Sequence, residues 1–381
     1  MDQVEGLAAS AQSWMKDQAF PFWAERGPNP DGGFFERLDL NGIGIVGEDS
    51  RVRVQARMAI SFTIAAEMGW EPVRARALAQ RALGVLVADC RRPDGLYGKM
   101  VRPGIGLSDD TGMAYDSAFA LLAFAMAYRA FESSHALQAG QELSRAIDQH
   151  LMCSTGEGGA REVLPAPIIR TQNPHMHLTE ASLAWHQASG DSRALQRAKD
   201  IIQFVETRFF REDLGLLVEE FEVSDSENRC EVGHMFEWVW ILGQMRHTDG
   251  GAPMPLIDAL YAGAMRSIEP FDYVPLAQNL DGQVLQPKQR TWAVAEKLKA
   301  HITHWRLHDD LASAEEIVRT GQMLFVDHID AALPGAWNDV IDPQRKLLAT
   351  DITPATGYHL FQAFQELTAF SDEFLRVEEL A

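Results

Sequence analysis

Residues 114–123 read AYDSAFALLA, and small side chains recur through them. The stretch fits a helix of an inner ring, which should be more apolar and richer in small residues than the helices around it. The rest of the chain supplies them. Apolar residues recur at helical spacing almost throughout, which predicts twelve helices at roughly 5–24, 51–69, 72–90, 111–131, 135–152, 173–188, 191–209, 232–248, 253–267, 289–306, 310–327 and 354–371. The connections alternate. Very short turns join helices 2–3, 4–5, 6–7, 8–9 and 10–11. The segments entering the even helices are longer and rich in Gly, Pro and aromatic residues.

Asp94-Gly95, Asp249-Gly250-Gly251 and Pro334-Gly335 mark turns, and Asp191 and Ser192 open a helix after a glycine. Strand-like runs are short, as at Leu216-Leu217-Val218 and around Phe34-Phe35, and predict small β-hairpins in loops. The pattern is that of a helical hairpin repeated about every 60 residues. Six hairpins closed into a ring make an all-α (α/α)6 barrel with the even helices inside. An open superhelical stack is the competing architecture. No Pro/Ser-rich linker divides the chain, so residues 1–381 read as one domain.

Composition excludes several functions. The net charge is −20, which repels nucleic acid and anionic lipid. No apolar run of about 18 residues is present to span a membrane, and the first residues do not resemble a signal peptide. Cys90, Cys153 and Cys230 show no paired spacing, which predicts a reducing, cytoplasmic setting without a structural zinc site. The chain has no GxGxxG after a strand, no P-loop and no GxSxG elbow. No cofactor is therefore expected.

The chemistry-bearing residues fall near the starts of the even helices: Arg57, Tyr115-Asp116, His177, His234, Arg290 to Glu296, and His359. Their spacing is close to the repeat, so a closed ring brings them to one end. Gly233-His234-Met235-Phe236-Glu237 puts a His and a Glu at i and i+3 on one face, where Glu237 can orient His234; a surface ion pair is the plainer reading. A metal reading needs further carboxylates or histidines at similar spacing, and the sequence places none there. In Asn173-Pro174-His175-Met176-His177, the two histidines point to different faces. Glu180, three residues on, selects His177 as the inward one, and His175 reads as a structural cap. A His-x-His zinc pair is the alternative. His359 lies among apolar residues, where a satisfied core histidine is the common case; its place in the repeat favours function. Arg57, on a helix otherwise fit for burial, needs an anion or several acceptors. His301, His304 and His308 read mainly as helix surface, with His301 and His304 able to flank the site. Trp238, Trp240 and Trp292 are core fillers or a wall for a sugar ring.

NPHMHLTEASLAW, EVGHMFEWVWIL, RTWAVAEKLKA, PGAWNDV and PATGYHLFQAF resemble, in order, the N-acylglucosamine 2-epimerase superfamily. The resemblance implies an (α/α)6 barrel, a small-molecule sugar substrate and a monomer or homodimer. It implies that His234 and His359 are the acid/base pair. It implies that Arg57, Tyr115, Asn173, His177 and Glu237 hold the substrate, with Trp292 and Glu296 completing the candidate set. RVRVQARM and DITPATGYH bring the chain closer to the mannose isomerase branch than to the N-acylglucosamine or cellobiose epimerases. The expected reaction is metal-free interconversion of D-mannose and D-fructose through an enediolate, using His for proton transfer. The alternatives are a sugar 2-epimerase, a glycoside hydrolase built on Asp116 and Glu296, and a barrel that only binds.

Overall fold

The computed structural model describes residues 2–153, 158–165, 170–251, 253–309, 311–330 and 332–380. The first helical stretch is α1 (Asp2–Ser13), a π turn (Trp14–Ala19) and α2 (Phe20–Arg26) in continuous succession. Then come α3 (Val52–Glu67), α4 (Pro72–Asp89), α5 (Ala114–Phe131), α6 (Ser134–Ala146), α7 (Gln172–Ser189) and α8 (Ser192–Arg208). They are followed by α9 (Val232–Asp249), α10 (Met254–Ile268), α11 (Thr291–His308), α12 (Leu311–Met323) and α13 (Gly357–Leu380). The helices predicted to end at 152 and 327 pass into π turns at Ile147–Leu151 and Leu324–Ile329.

Burial separates the two rings. In α5 every residue from Ala118 to Ala127 is buried. In α8 the buried residues are Ala194, Arg197, Ala198, Ile201, Ile202, Phe204 and Val205, a single stripe at helical spacing with the opposite face in solvent. α3, α5, α7, α9, α11 and α13 each pack on the next, and α13 packs back on α3, so the ring is closed and the open stack is excluded. Five pairs (α3–α4, α5–α6, α7–α8, α9–α10 and α11–α12) are hairpins in sequence. The sixth pair is not: α13 takes the N-terminal helix as its cover. Trp14 meets Phe364 edge-on at 5.6 Å, and Leu7 fills the space left by Gly321 on α12. At Gly243 a Cβ would lie 2.4 Å from Thr303, so glycine sets how closely α9 and α11 approach.

The strands lie mostly just before inner helices. β1 (Ser50–Arg51), β2 (Met100–Arg102) and β3 (Gly106–Asp109) form a small antiparallel sheet. β4 (Gly112–Met113) pairs with β5 (Val163–Leu164), and β6 (Phe210–Arg211) with β7 (Leu216–Leu217). β8 (Ala277–Gln278) pairs with β9 (Val284–Gln286), and β10 (Gln289–Arg290) with β11 (Val340–Ile341). Single bridges Thr171–Glu220 and Cys230–Gln278 continue the pattern. The β1–β2, β4–β5 and β10–β11 ladders and these two bridges tie neighbouring connections together at the end of the barrel where the inner helices begin, and the other pairs are local hairpins. No helix among the described residues is long and apolar enough to cross a membrane.

Candidate active site

At that end lies a cavity of about 550 Å³, lined by Arg57, Tyr115, Asn173, His177, His234, Glu237, Trp292 and His359 together with Arg51, Arg53 and Arg290. Eight of the nine residues singled out in the sequence therefore share one wall. The positive ends of the inner-helix dipoles converge there, which suits a site that must hold developing negative charge. The residues preceding α3, α5, α7, α9 and α11 are extended and make no side-chain cap. Carboxylates from elsewhere bind the free amides instead: Asp116 accepts from the Arg53 N–H at 2.9 Å and Glu219 from the Glu231 N–H at 3.2 Å. Asp116 is fully buried and also holds the Arg53 guanidinium at 3.1 Å, so it supports the wall and does not line it.

The two candidate proton carriers flank one indole: Trp292 lies 5.0 Å from the His234 ring and 5.8 Å from the His359 ring. Their surroundings differ. His234 Nδ1 stands 3.0 Å from Glu219 Oε1 and 3.8 Å from Glu231. Burial disfavours its charge, yet Glu219 and Glu231 outweigh burial and push it up to about 9. His359 Nδ1 meets Glu296 Oε1 at 2.6 Å. Burial, then the cations Arg57 and Lys299, hold His359 well below the usual histidine range.

Glu237 does not orient His234; Glu219 does. Glu237 Oε1 stands 3.8 Å from His177 Nδ1 and has no hydrogen-bond partner among the described residues, and burial followed by the charge of Glu296 raises Glu237 well above the usual carboxylate range. A protonated Glu237 offers the cavity an O–H donor. His177 Nδ1 contacts Glu180 at 3.3 Å, and burial lowers it to about 4. Its ring stands edge-on to Tyr115 at 4.9 Å.

Arg57 donates to the Tyr115 hydroxyl at 2.8 Å and the Ala355 carbonyl at 3.2 Å, and its guanidinium covers the Phe119 ring at 4.1 Å. Among the described residues no carboxylate forms an ion pair with it and its Nε has no hydrogen-bond partner, so it retains capacity for an anion. Asn173 Oδ1 is likewise buried without a partner. Glu296 is placed otherwise than the sequence reading had it. It is fully buried beneath His359 and absent from the cavity lining, because α11 turns it toward α13.

Other residues singled out in the sequence lie away from this cavity. His301 is fully buried and bonded to the Tyr261 hydroxyl at 2.6 Å, while His304 stacks on Tyr261 at 4.0 Å; both turn toward α10 and neither lines the cavity. His175 accepts from the Ala160 N–H at 2.8 Å and contacts the Thr171 carbonyl at 2.7 Å, a structural role. Trp238 is buried, donating to Gln172, and Trp240 faces a second cavity at the opposite end. Carboxylates do gather near the histidines. Donor atoms of His177, Glu180 and Glu237, and those of Glu237, Glu296 and His359, fall within 4.8 Å of one another. Lys299 and Arg57 place positive charge against this group.

Glu219, Glu180, Tyr358 and Lys299 were not singled out as working residues. Glu219 follows the Leu216-Leu217-Val218 strand signal, and Glu180 carried its i+3 match to His177. Tyr358 and Lys299 showed no signal apart from proximity to His359 and Glu296.

The sequence profile of the N-acylglucosamine 2-epimerase (GlcNAc 2-epimerase) family matches residues 33–363. The chain is 28% identical over 375 residues to a mannose-6-phosphate isomerase of Rhizobium meliloti (strain 1021), covering 94% of this chain and 96% of that protein. In fold it is similar to the cellobiose 2-epimerase from Spirochaeta thermophila DSM 6192, with a TM-score of 0.88, 19% identity and coverage of 98% and 99% of the two chains. It is also similar to a D-mannose isomerase, with a TM-score of 0.84, 19% identity and coverage of 95% and 97%. With a closed double ring of helices and the family profile spanning most of its length, the chain belongs to the N-acylglucosamine 2-epimerase family and is a sugar isomerase or epimerase.

Proposed function

We propose that this protein interconverts D-mannose, or a close relative, with D-fructose through an enediolate. The observation that carries this reading is the placement of two histidines against one indole with different partners, His234 on Glu219 and Glu231, and His359 on Glu296, which Lys299 backs. At neutral pH His234 is cationic, held so by Glu219 and Glu231, and His359 is neutral. His359 Nε2 takes the proton from C2 of the open-chain aldose. The C–H electron pair forms the C1–C2 double bond, and the carbonyl pair moves onto O1. His234 and Arg57 meet that charge. Delivery of a proton to C1, with loss of the O2 proton as the C2 carbonyl forms, gives the ketose. Delivery to the opposite face of C2 gives the epimer.

The cavity favours an unphosphorylated sugar. Arg51 is bound by Glu36, Arg53 by Asp116 at 3.1 Å, and Arg290 by Asp339 at 2.7 Å. These guanidiniums are already neutralised, which leaves little net positive charge for a phosphate.

The test is incubation with mannose, and separately with mannose 6-phosphate, in D₂O with a chelator, followed by NMR. Deuterated fructose from free mannose is expected. Glucose alone identifies a 2-epimerase, turnover of the phosphate alone refutes the neutral-sugar reading, and loss on chelation refutes the metal-free one. His234→Ala and His359→Ala should each lower kcat by about 10²–10⁴-fold; full activity in either removes that histidine from the mechanism.

A further inference from the structure

Behind His359 lies a buried ion pair that the reaction above does not use. Lys299 has no exposed surface, and its Nζ is 2.9 Å from Glu296 Oε2. The ammonium donates to Gln362 Oε1 at 3.2 Å and stands 3.7 Å above the Trp240 ring. Three contacts thus surround a buried cation, as its desolvation demands. The other oxygen of Glu296 holds His359 Nδ1 at 2.6 Å, so Lys299, Glu296 and His359 form a line leading to the cavity.

We propose that Lys299 is a positioning residue that keeps His359 Nε2 unprotonated, by holding Glu296 as a carboxylate that accepts the Nδ1–H. The second oxygen of an ionised Glu296 needs a cation in this setting. Burial raises Glu296 to about 7 even with Lys299 opposing the rise. Without the ammonium, the Glu296–His359 pair would carry an uncompensated buried negative charge and would take up a proton. That proton has two places to go. On Glu296, its O–H donates to Nδ1 and the imidazole carries its hydrogen on Nε2. On His359, both ring nitrogens carry hydrogen. In either case the nitrogen facing the cavity is no longer a base.

Other charges press on the pair from each packed element: Arg57 from α3, His177 and Glu180 from α7, Glu237 from α9, and Arg290 from β10. Among the described residues, Lys299 is the lysine or arginine in direct contact with Glu296.

The test is nitrogen-15 NMR of His359 in the full-length, substrate-free protein. In the wild type at pH 8, above the value of about 7 at which Glu296 gives up its proton, Nε2 should show the shift of a bare imidazole nitrogen. In Lys299→Met it should show a protonated one, and in Lys299→Arg the bare nitrogen should persist. The assignment of His359 as base comes from the proposed function, whereas this measurement needs no substrate, so the two fail separately. In the sugar assay, Lys299→Met should lower kcat about 10²-fold at pH 7 with KM nearly unchanged. Activity should recover as pH rises and the added proton leaves. A merely structural lysine would lower Tm without altering the nitrogen shift. A protonated Nε2 in the wild type overturns the proposal whether or not any variant folds, and so does a bare Nε2 in a folded Lys299→Met.

Discussion

His234 and His359 are both buried helix histidines, and their neighbours make them different reagents. Glu219 and Glu231 hold a proton on one; burial, then Arg57 and Lys299, drive it off the other. The kcat/KM profile should therefore have an alkaline limb near pH 9 as His234 loses its charge. Glu231→Gln removes one of the carboxylates facing His234, so less holds the proton, and the limb should move to lower pH by about one unit. A limb that stays in place would show that another group governs it. The same pairing contributes to stability. The folded value is raised, so the contribution is complete below about pH 6.5, the ordinary histidine value, and is lost as pH rises through about 9.

At the scale of elements, the outer helices and hairpins fix the second layer of the site. The turn between β6 and β7 packs on α10, and β7 leads directly to Glu219. At Gly263 on α10 a Cβ would stand 1.9 Å from the Gly215 carbonyl oxygen, a backbone atom that has no rotamer to escape by. Gly263→Ala should cost about 1–3 kcal/mol. Gly84, on the exposed face of α4, has nothing within 4 Å of a Cβ. Gly84→Ala should stabilise by about 0.5–1 kcal/mol, because glycine loses the most backbone freedom on entering a helix. Thermal denaturation of the two variants side by side checks both signs. A stabilised Gly263→Ala would mean that the turn yields more easily than its contacts indicate.

For the whole molecule, closure is the organising event. One continuous apolar core runs from Val4 to Phe374, and the N-terminal helix seals it against α13, which carries His359. Trp14 is 3% exposed and packs on Phe361 and Phe364. Trp14→Ala should cost about 3–5 kcal/mol in urea denaturation. A loss below about 1 kcal/mol would mean that the ring closes without this contact.

Periodicity along the chain was enough to place the twelve helices, divide them into inner and outer sets, and bring Arg57, Tyr115, His177, His234 and His359 to one end, because helix pattern and hairpin spacing are local properties; Asn173 entered the candidate set only through the family resemblance. AYDSAFALLA fitted an inner helix, and α5 is one. The sixth pair escaped this reading because its members lie at opposite ends of the chain, and no local signal joins them. The same holds for the chemistry. Glu219 lies fifteen residues from His234, and Glu296 sixty-three from His359. Whether a glutamate lines a cavity or stands behind a histidine depends on helix rotation by a fraction of a turn, which only packing determines. The charge states of the two histidines follow from those buried partners and from the water that burial removes, and so belonged to the tertiary structure alone.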